Sequence, residues 1–425
     1  MRQPGIVQRL VLELTALVPE GTGMTHATVT DEGGGASLVR RMRPRDRDQE
    51  HRASSPLELL FDLCFVVAVA QAAAHLHHAL LEGHTAEGVL SYVMIFFAIW
   101  WAWVGFTWFA SAYDTDDVVY RLLTLLQIAG VLLLAAGVPP AFENRDFRAV
   151  TGGYILMRIA LVTLWLRVAR DHPEGRRVAL RFAVAVSALQ LGWTALLVMP
   201  GVSLPGFVVL VVLELIVPAW AQRPGPQLAW HSGHIAERYG LFTLIVLGES
   251  VLAATGTVQS AIAARGLSAP LVMTAAGGLV LIFALWWSYF DRPAAEALRL
   301  APGSVFLWGY GHLLVFACLA AVGAGLQVVA ETIGHHGELS AGDAALTLAV
   351  PVALYLVTMG VLHTWVYRHR GERAVARFTL TAALVILAAA AVPAVPLPLA
   401  APLIGGLVAA MVVADLLWPT RRQVV

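Results

Sequence analysis

The 425-residue chain contains no lysine: its 28 basic residues are all arginine, balanced by 28 acids and accompanied by 14 histidines. Without lysine there is no phosphate-loop lysine, no Schiff base and no lysine general base. The even charge balance offers nucleic acid no electrostatic handle. Cysteine is nearly absent as well: Cys64 and Cys318 both fall inside apolar runs, so there is no disulfide framework to read. Charged residues make up 13% of the chain, against roughly 25% in an ordinary soluble domain. That scarcity excludes an ordinary soluble enzyme. In their place are 58% apolar residues and a mean hydropathy of +0.72. Apolar runs of about 20 residues recur, each able to cross a hydrocarbon core of about 30 Å at 1.5 Å per residue.

Residues 1–52 differ from the rest, being polar, with Gly33-Gly34-Gly35 and the basic series Arg40, Arg41, Arg43, Arg45, Arg47 and Arg52. They read as a disordered basic cytoplasmic tail. Gln8, Arg9 and Glu13 interrupt the stretch 7–18, which has no small-residue cleavage site and makes a poor signal peptide; Met24 and Met42 stand beside Met1 as candidate starts. Twelve spans follow, at 57–78, 89–110, 118–138, 149–168, 178–199, 203–220, 235–256, 269–290, 303–326, 344–366, 374–393 and 397–418. The expected fold is therefore all-α and polytopic, in contact with the lipid bilayer. With the N-terminus inside, the inner segments hold 22 arginines and the outer loops three, Arg145, Arg148 and Arg265. The positive-inside rule then places both termini in the cytoplasm.

An internal repeat is also legible. Ile95-Phe96-Phe97-Ala98-Ile99-Trp100-Trp101 in the second span reappears as Leu281-Ile282-Phe283-Ala284-Leu285-Trp286-Trp287 in the eighth, and 61–71 aligns without gaps on 239–249. This divides the membrane part into two six-span halves, 53–222 and 223–425, related as parallel repeats. The Trp-rich stretches, Trp103 and Trp108 included, are expected to pack around the repeat axis.

The run Pro56-Leu57-Glu58-Leu59-Leu60-Phe61-Asp62-Leu63-Cys64-Phe65-Val66 resembles the opening signature of the bacterial low-temperature-requirement A family. Two further stretches agree in register: Tyr113-Asp114-Thr115-Asp116-Asp117 followed by Arg121, and His234-Ile235-Ala236-Glu237-Arg238-Tyr239-Gly240-Leu241 running on to Leu247-Gly248-Glu249-Ser250. The resemblance covers 56–418; Cys64 and the long basic tail are departures from it. It implies a multi-span protein of the bacterial inner membrane, named for a growth phenotype in the cold. The name carries no chemistry.

Charge inside a bilayer costs about 2.5–3.5 kcal/mol even on the lenient insertion scale, so the intramembrane ionisable residues are the candidate site. Glu249 lies about 20 Å into the seventh span and shares a helix face with His234 and Arg238; Glu237 lies beside Arg238. Glu58 and Asp62 share a face at the start of the first span, where an acid is also what a helix N-terminus prefers. The repeat sets Leu60 opposite Arg238, which predicts an ion pair from Arg238 to Asp62 or Glu58, serving either as a bolt between the halves or as an inner gate. Gln71 and His75 fall at the depth of Glu249, and His312 lies mid-way in the ninth span; the default for such a histidine is hydrogen-bonded packing. The outer histidines His75, His77, His78, His84, His335 and His336 read as solvated, with a metal or pH-sensing site as the alternative. Asp114, Asp116 and Asp117 are expected to cap the third span and pair with arginine, a Mg²⁺ site being the minority reading.

No motif calls for a cofactor. The leading functional reading is a proton-coupled secondary transporter of a small solute or ion with Glu249 as proton carrier. The second is a cation channel, because Phe61-Asp62 with Ala68 and Gln71 looks like the pore-helix motif of the endolysosomal potassium channels, in which the first and seventh helices line the pore. The third is a membrane-embedded lipid-modifying enzyme. It lacks a zinc-protease His-Glu pair, a Gly-rich phosphate loop and a Ser-His-Asp set.

Overall fold

The computed structural model describes residues 38–46, 49, 53–199, 203–223, 228–333, 339–366 and 371–417. The expected tail before residue 38, Arg47, Arg52, His335, His336 and the chain after 417 lie outside them. All regular structure among the described residues is helical: α1 (Pro56–Leu81), α2 (Thr85–Ala112), α3 (Val118–Ala136), α4 (Val138–Asn144), α5 (Arg148–Asp171), α6 (Arg176–Leu196), α7 (Ser203–Ala221), α8 (Ser232–Arg265), α9 (Ala269–Phe290), α10 (Ala294–Leu300), α11 (Val305–Thr332), α12 (Ala341–Val366), α13 (Gly371–Ala390) and α14 (Ala400–Leu417), with short 3₁₀ turns between some of them. Among the described residues, eleven spans are long and apolar enough to cross a bilayer. The expected eleventh of twelve, α13, is 20 residues long and carries a shorter apolar stretch over Val375–Ala390 among the described residues.

Local chemistry explains the helix ends. Ser55 caps α1 in a capping box: its hydroxyl accepts from Glu58 N at 3.3 Å while the Glu58 carboxylate accepts from Ser55 N at 2.8 Å, with Pro56 in the first turn. The turn into α2 needs φ of +77° at Gly83, a conformation glycine adopts without strain. Asp117 caps α3 through Tyr120 N at 2.7 Å.

Packing is closest where glycines meet. A Cβ on Gly153 of α5 would lie 2.5 Å from the Gly130 carbonyl oxygen of α3, and one on Gly130 would lie 2.7 Å from the Gly153 carbonyl. Small residues let membrane helices approach backbone to backbone, which replaces the missing hydrophobic drive between them. Gly153→Val will force α3 and α5 apart and lower stability by about 1–3 kcal/mol, read as a lower thermal midpoint in detergent, while Gly248→Ala, with open space around it, will be neutral.

Two expectations meet a different structure. Trp100, Trp101 and Trp103 are buried as expected, but Trp286 and Trp287 are 42% and 44% exposed. Their helix, α9, turns its other face, with Gly277 and Leu281, onto α14, so the matching tryptophans point outward. Residues 38–46, part of the expected disordered tail, are ordered as an extended strap. Arg40 N donates to Asp117 at 2.7 Å, Met42 N to Asp171 at 3.1 Å and Arg45 N to the Ala112 carbonyl at 2.9 Å, with the Met42 side chain fully buried.

Burial raises the pKa of Asp117, but hydrogen bonds from Arg167 (2.5 Å), Arg40 N and Tyr120 N outweigh it and hold the carboxyl below its usual range. A carboxylate with a depressed folded pKa stabilises above its unfolded value, near pH 4, and that contribution is lost as pH falls through the folded pKa. The strap should therefore loosen only in acid. At neutral pH, Asp117→Asn keeps a capping side chain but loses the charge-assisted bonds, so trypsin cleavage at Arg40 and Arg41 will accelerate more than about tenfold, identified by the new N-termini.

Candidate functional site

The ion pair expected between the first and seventh spans is present as a buried cluster joining α1, α2 and α8. Arg238 donates from Nε to Asp62 Oδ2 at 2.7 Å and from Nη2 to Asp62 Oδ1 at 2.5 Å, a two-pronged guanidinium–carboxylate contact. Trp103 Nε1 donates to the same Oδ1 at 2.7 Å, and Arg238 Nη2 reaches Thr107 Oγ1 at 3.3 Å. Glu58 serves two masters: one oxygen completes the α1 cap, the other lies 3.2 Å from Arg238 Nη1 and 3.1 Å from His234 Nε2. Arg238, His234 and Asp62 are fully buried. Two carboxylates thus face one guanidinium and one imidazole. At its edge Glu237 Oε1 accepts from Ser54 N at 3.2 Å, tying the entry to α1 onto α8.

A second buried ionic layer was not among the sequence-derived candidates. Glu214 of α7 accepts from Arg158 Nη2 of α5 at 2.6 Å, from Trp193 Nε1 of α6 at 3.0 Å and from Trp101 Nε1 of α2 at 2.9 Å. Its side chain is 2% exposed and that of Arg158 is 9%. The guanidinium carbon of Arg158 sits 5.3 Å from the Tyr154 ring centre, and the Tyr154 hydroxyl donates to the Ala98 carbonyl. The signal was available: Glu214 is the one charged residue in its span, which is the argument applied to Glu249.

This layer separates two cavities. One, of about 380 Å³, runs from Trp101, Tyr154, Arg158 and Glu214 toward the arginine-rich end at Gln222 and Arg223. The other, of about 730 Å³, shares Trp101 and Tyr154 and runs to the opposite end, past Trp193 to Arg145 and Leu204. Both lie mainly among α2, α5, α6 and α7, and α1 lines neither.

The remaining candidates are scattered. Glu249 is partly exposed, and among the described residues no hydrogen bond or ion pair reaches it; it lines none of the described cavities. His75 Nδ1 bonds to the Gln71 carbonyl at 2.9 Å, and its Nε2 is 3.7 Å from Glu143. His312 is buried: Nδ1 donates to the Trp308 carbonyl at 2.7 Å, which leaves Nε2 to accept from the Tyr289 hydroxyl at 3.0 Å, beside a third cavity of about 270 Å³. The acidic loop divides among different arginines: Asp114 pairs with Arg45, Asp116 with Arg121 through two contacts of 2.8 Å, and Asp117 with Arg167. Among the described residues no three His, Cys, Asp or Glu side chains gather as a metal site.

Apolar helices around buried ionic layers define a polytopic helical membrane protein. Residues 53–414 match the family model for bacterial low temperature requirement A protein (LtrA), and the chain belongs to that family. It is 27% identical over 335 residues to the uncharacterized protein RA0937 of Rhizobium meliloti (strain 1021), covering 75% of this chain and 78% of that one. No solved structure matches it.

Proposed function

We propose that the chain is a secondary transporter of the bacterial inner membrane, with both termini cytoplasmic. Its solute path runs through α2, α5, α6 and α7, and the Arg158–Glu214 layer is the closed point of that path. The observation that carries this reading is the pair of cavities, facing opposite ends and sharing Trp101 and Tyr154 across one buried ion pair. Alternating access requires such a site, reached from one side at a time. Glu214 takes the coupling role first considered for Glu249, because it sits on the path. The α1–α8 cluster acts as the bolt between the six-span halves. The channel reading needs α1 and α8 to line a lumen, and here they close on each other through Asp62 and Arg238.

The test is cysteine labelling in vesicles of known orientation, in a chain whose Cys64 and Cys318 are replaced. Leu161→Cys, in the arginine-rich cavity, will react with a membrane-impermeant maleimide from the cytoplasmic side, and Met94→Cys, in the other, from the outside. Reaction of both from one side, or of either from both sides at once, overturns the path.

A further inference from the structure

We infer that the species recognised at this layer is a small aromatic monocarboxylate, bound together with one proton; this deepens the transporter reading and rests on it. A solute at Trp101 and Tyr154 must displace Arg158 from Glu214. Separating a buried pair leaves uncompensated charge, which is strongly destabilising unless the arriving species replaces both partners. A cation would satisfy Glu214 and strand Arg158, whose guanidinium cannot shed its proton. An anion alone would satisfy Arg158 and strand Glu214. Two neutral packages remain: a zwitterion, or a carboxylate with a proton on Glu214.

The cavity decides between them. Gln127 lines it and is 2% exposed, and its Nε2 is buried with no hydrogen-bond partner. That leaves a second donor, beside Arg158, for a carboxylate. The ammonium of a zwitterion would have to pair with Glu214, which already takes hydrogen bonds from Trp101 and Trp193. A protonated Glu214 keeps both of those. The groups facing Glu214 are Arg158 and Tyr154 from α5, Trp101 from α2, Trp193 from α6 and, from α11, Tyr310, whose hydroxyl bonds to the Leu215 carbonyl at 2.9 Å; Arg158 is the one cation among them. Aliphatic and aromatic side chains share the rest of the wall, Trp165 stacked on Phe182 at 4.5 Å among them, so a ring suits the body of the ligand. At about 380 Å³ the cavity is of small-molecule size.

In the bound state Arg158 N–H groups donate to the ligand carboxylate instead of to Glu214, and a proton from solution occupies a Glu214 oxygen, so the net charge of the layer is unchanged.

The experiment is calorimetric titration of the full chain in detergent with sodium benzoate, L-phenylalanine and benzylammonium, in buffers of different ionisation heat. Benzoate will bind with uptake of one proton, and its Kd will rise about tenfold per pH unit across the neutral range. The other two will bind at least about tenfold more weakly. Glu214→Gln will retain benzoate binding and lose its pH slope; if that variant does not fold, the proton count on the natural chain decides. Tighter binding of phenylalanine or benzylammonium, benzoate binding without proton uptake, or no benzoate binding overturns the inference. Cysteine labelling as expected alongside any of these leaves the path standing and removes the substrate class alone.

Discussion

Arg238→Met will yield little folded protein, and the double replacement Glu58→Gln with Asp62→Asn on top of it will recover most of the loss. The single change strands two buried carboxylates at the interface of α1 and α8. Breaking a buried pair from one side costs about 3–5 kcal/mol, because the remaining charge has neither water nor a partner. Removing all the charge takes that penalty away and leaves polar amides, with Trp103 Nε1 still able to donate to Asn at position 62. The measurement is the monodisperse fraction and thermal midpoint after extraction. A structural bolt predicts that the triple variant folds and keeps the labelling pattern of the cavities. Failure of the triple variant to recover would show that the cluster specifies the contact between α1 and α8 rather than merely neutralising itself.

The second large effect is an asymmetry within the other layer. Glu214→Gln will destabilise the chain more than Arg158→Met, although the two remove opposite ends of one contact. A guanidinium stays charged when its partner goes. An orphaned carboxylate can take up a proton, and here it keeps two indole donors, Trp101 and Trp193. The full loss of about 3–5 kcal/mol is expected for the glutamate change and a smaller one for the arginine change, both read from thermal midpoints at neutral pH. Equal losses would mean that the indoles contribute little. A larger loss for Arg158→Met would place the weight of the layer on the carboxylate's need for a cation.

The membrane class and the spans were legible because apolar length is a direct physical requirement of the bilayer. The contact of Asp62 with Arg238 was legible for a narrower reason: the gapless match of 61–71 with 239–249 put Leu60 opposite Arg238, fixing relative depth. The contact of Arg158 with Glu214 was not. The two residues lie 56 positions apart, and no local periodicity says that α5 and α7 meet. Glu249 shows the converse limit. Periodicity correctly gave it the helix face of Arg238, but a face does not state its neighbours. The 34-residue α8 runs past the contacts that bury Arg238, so Gly248 and Leu252 are exposed and Glu249 is only partly covered. The strap at 38–46 escaped composition because its order comes from main-chain N–H groups meeting Asp117 and Asp171, donors that every residue but proline carries.

The α1–α8 cluster sits within the first two turns of both helices, and its position has a mechanical consequence. A pair of rods pinned near one end moves as a lever. With about 30 Å of α1 beyond Asp62, a tilt of about 10° around Asp62 and Arg238 shifts the arginine-rich end hardly at all and the far end of α1 by about 5 Å. Contacts at that far end, such as His77 with Glu331 at 3.2 Å and His75 with Glu143 at 3.7 Å, have partly or largely exposed acids and are cheap to break. The larger excursion of the molecule therefore belongs to the end away from the pin.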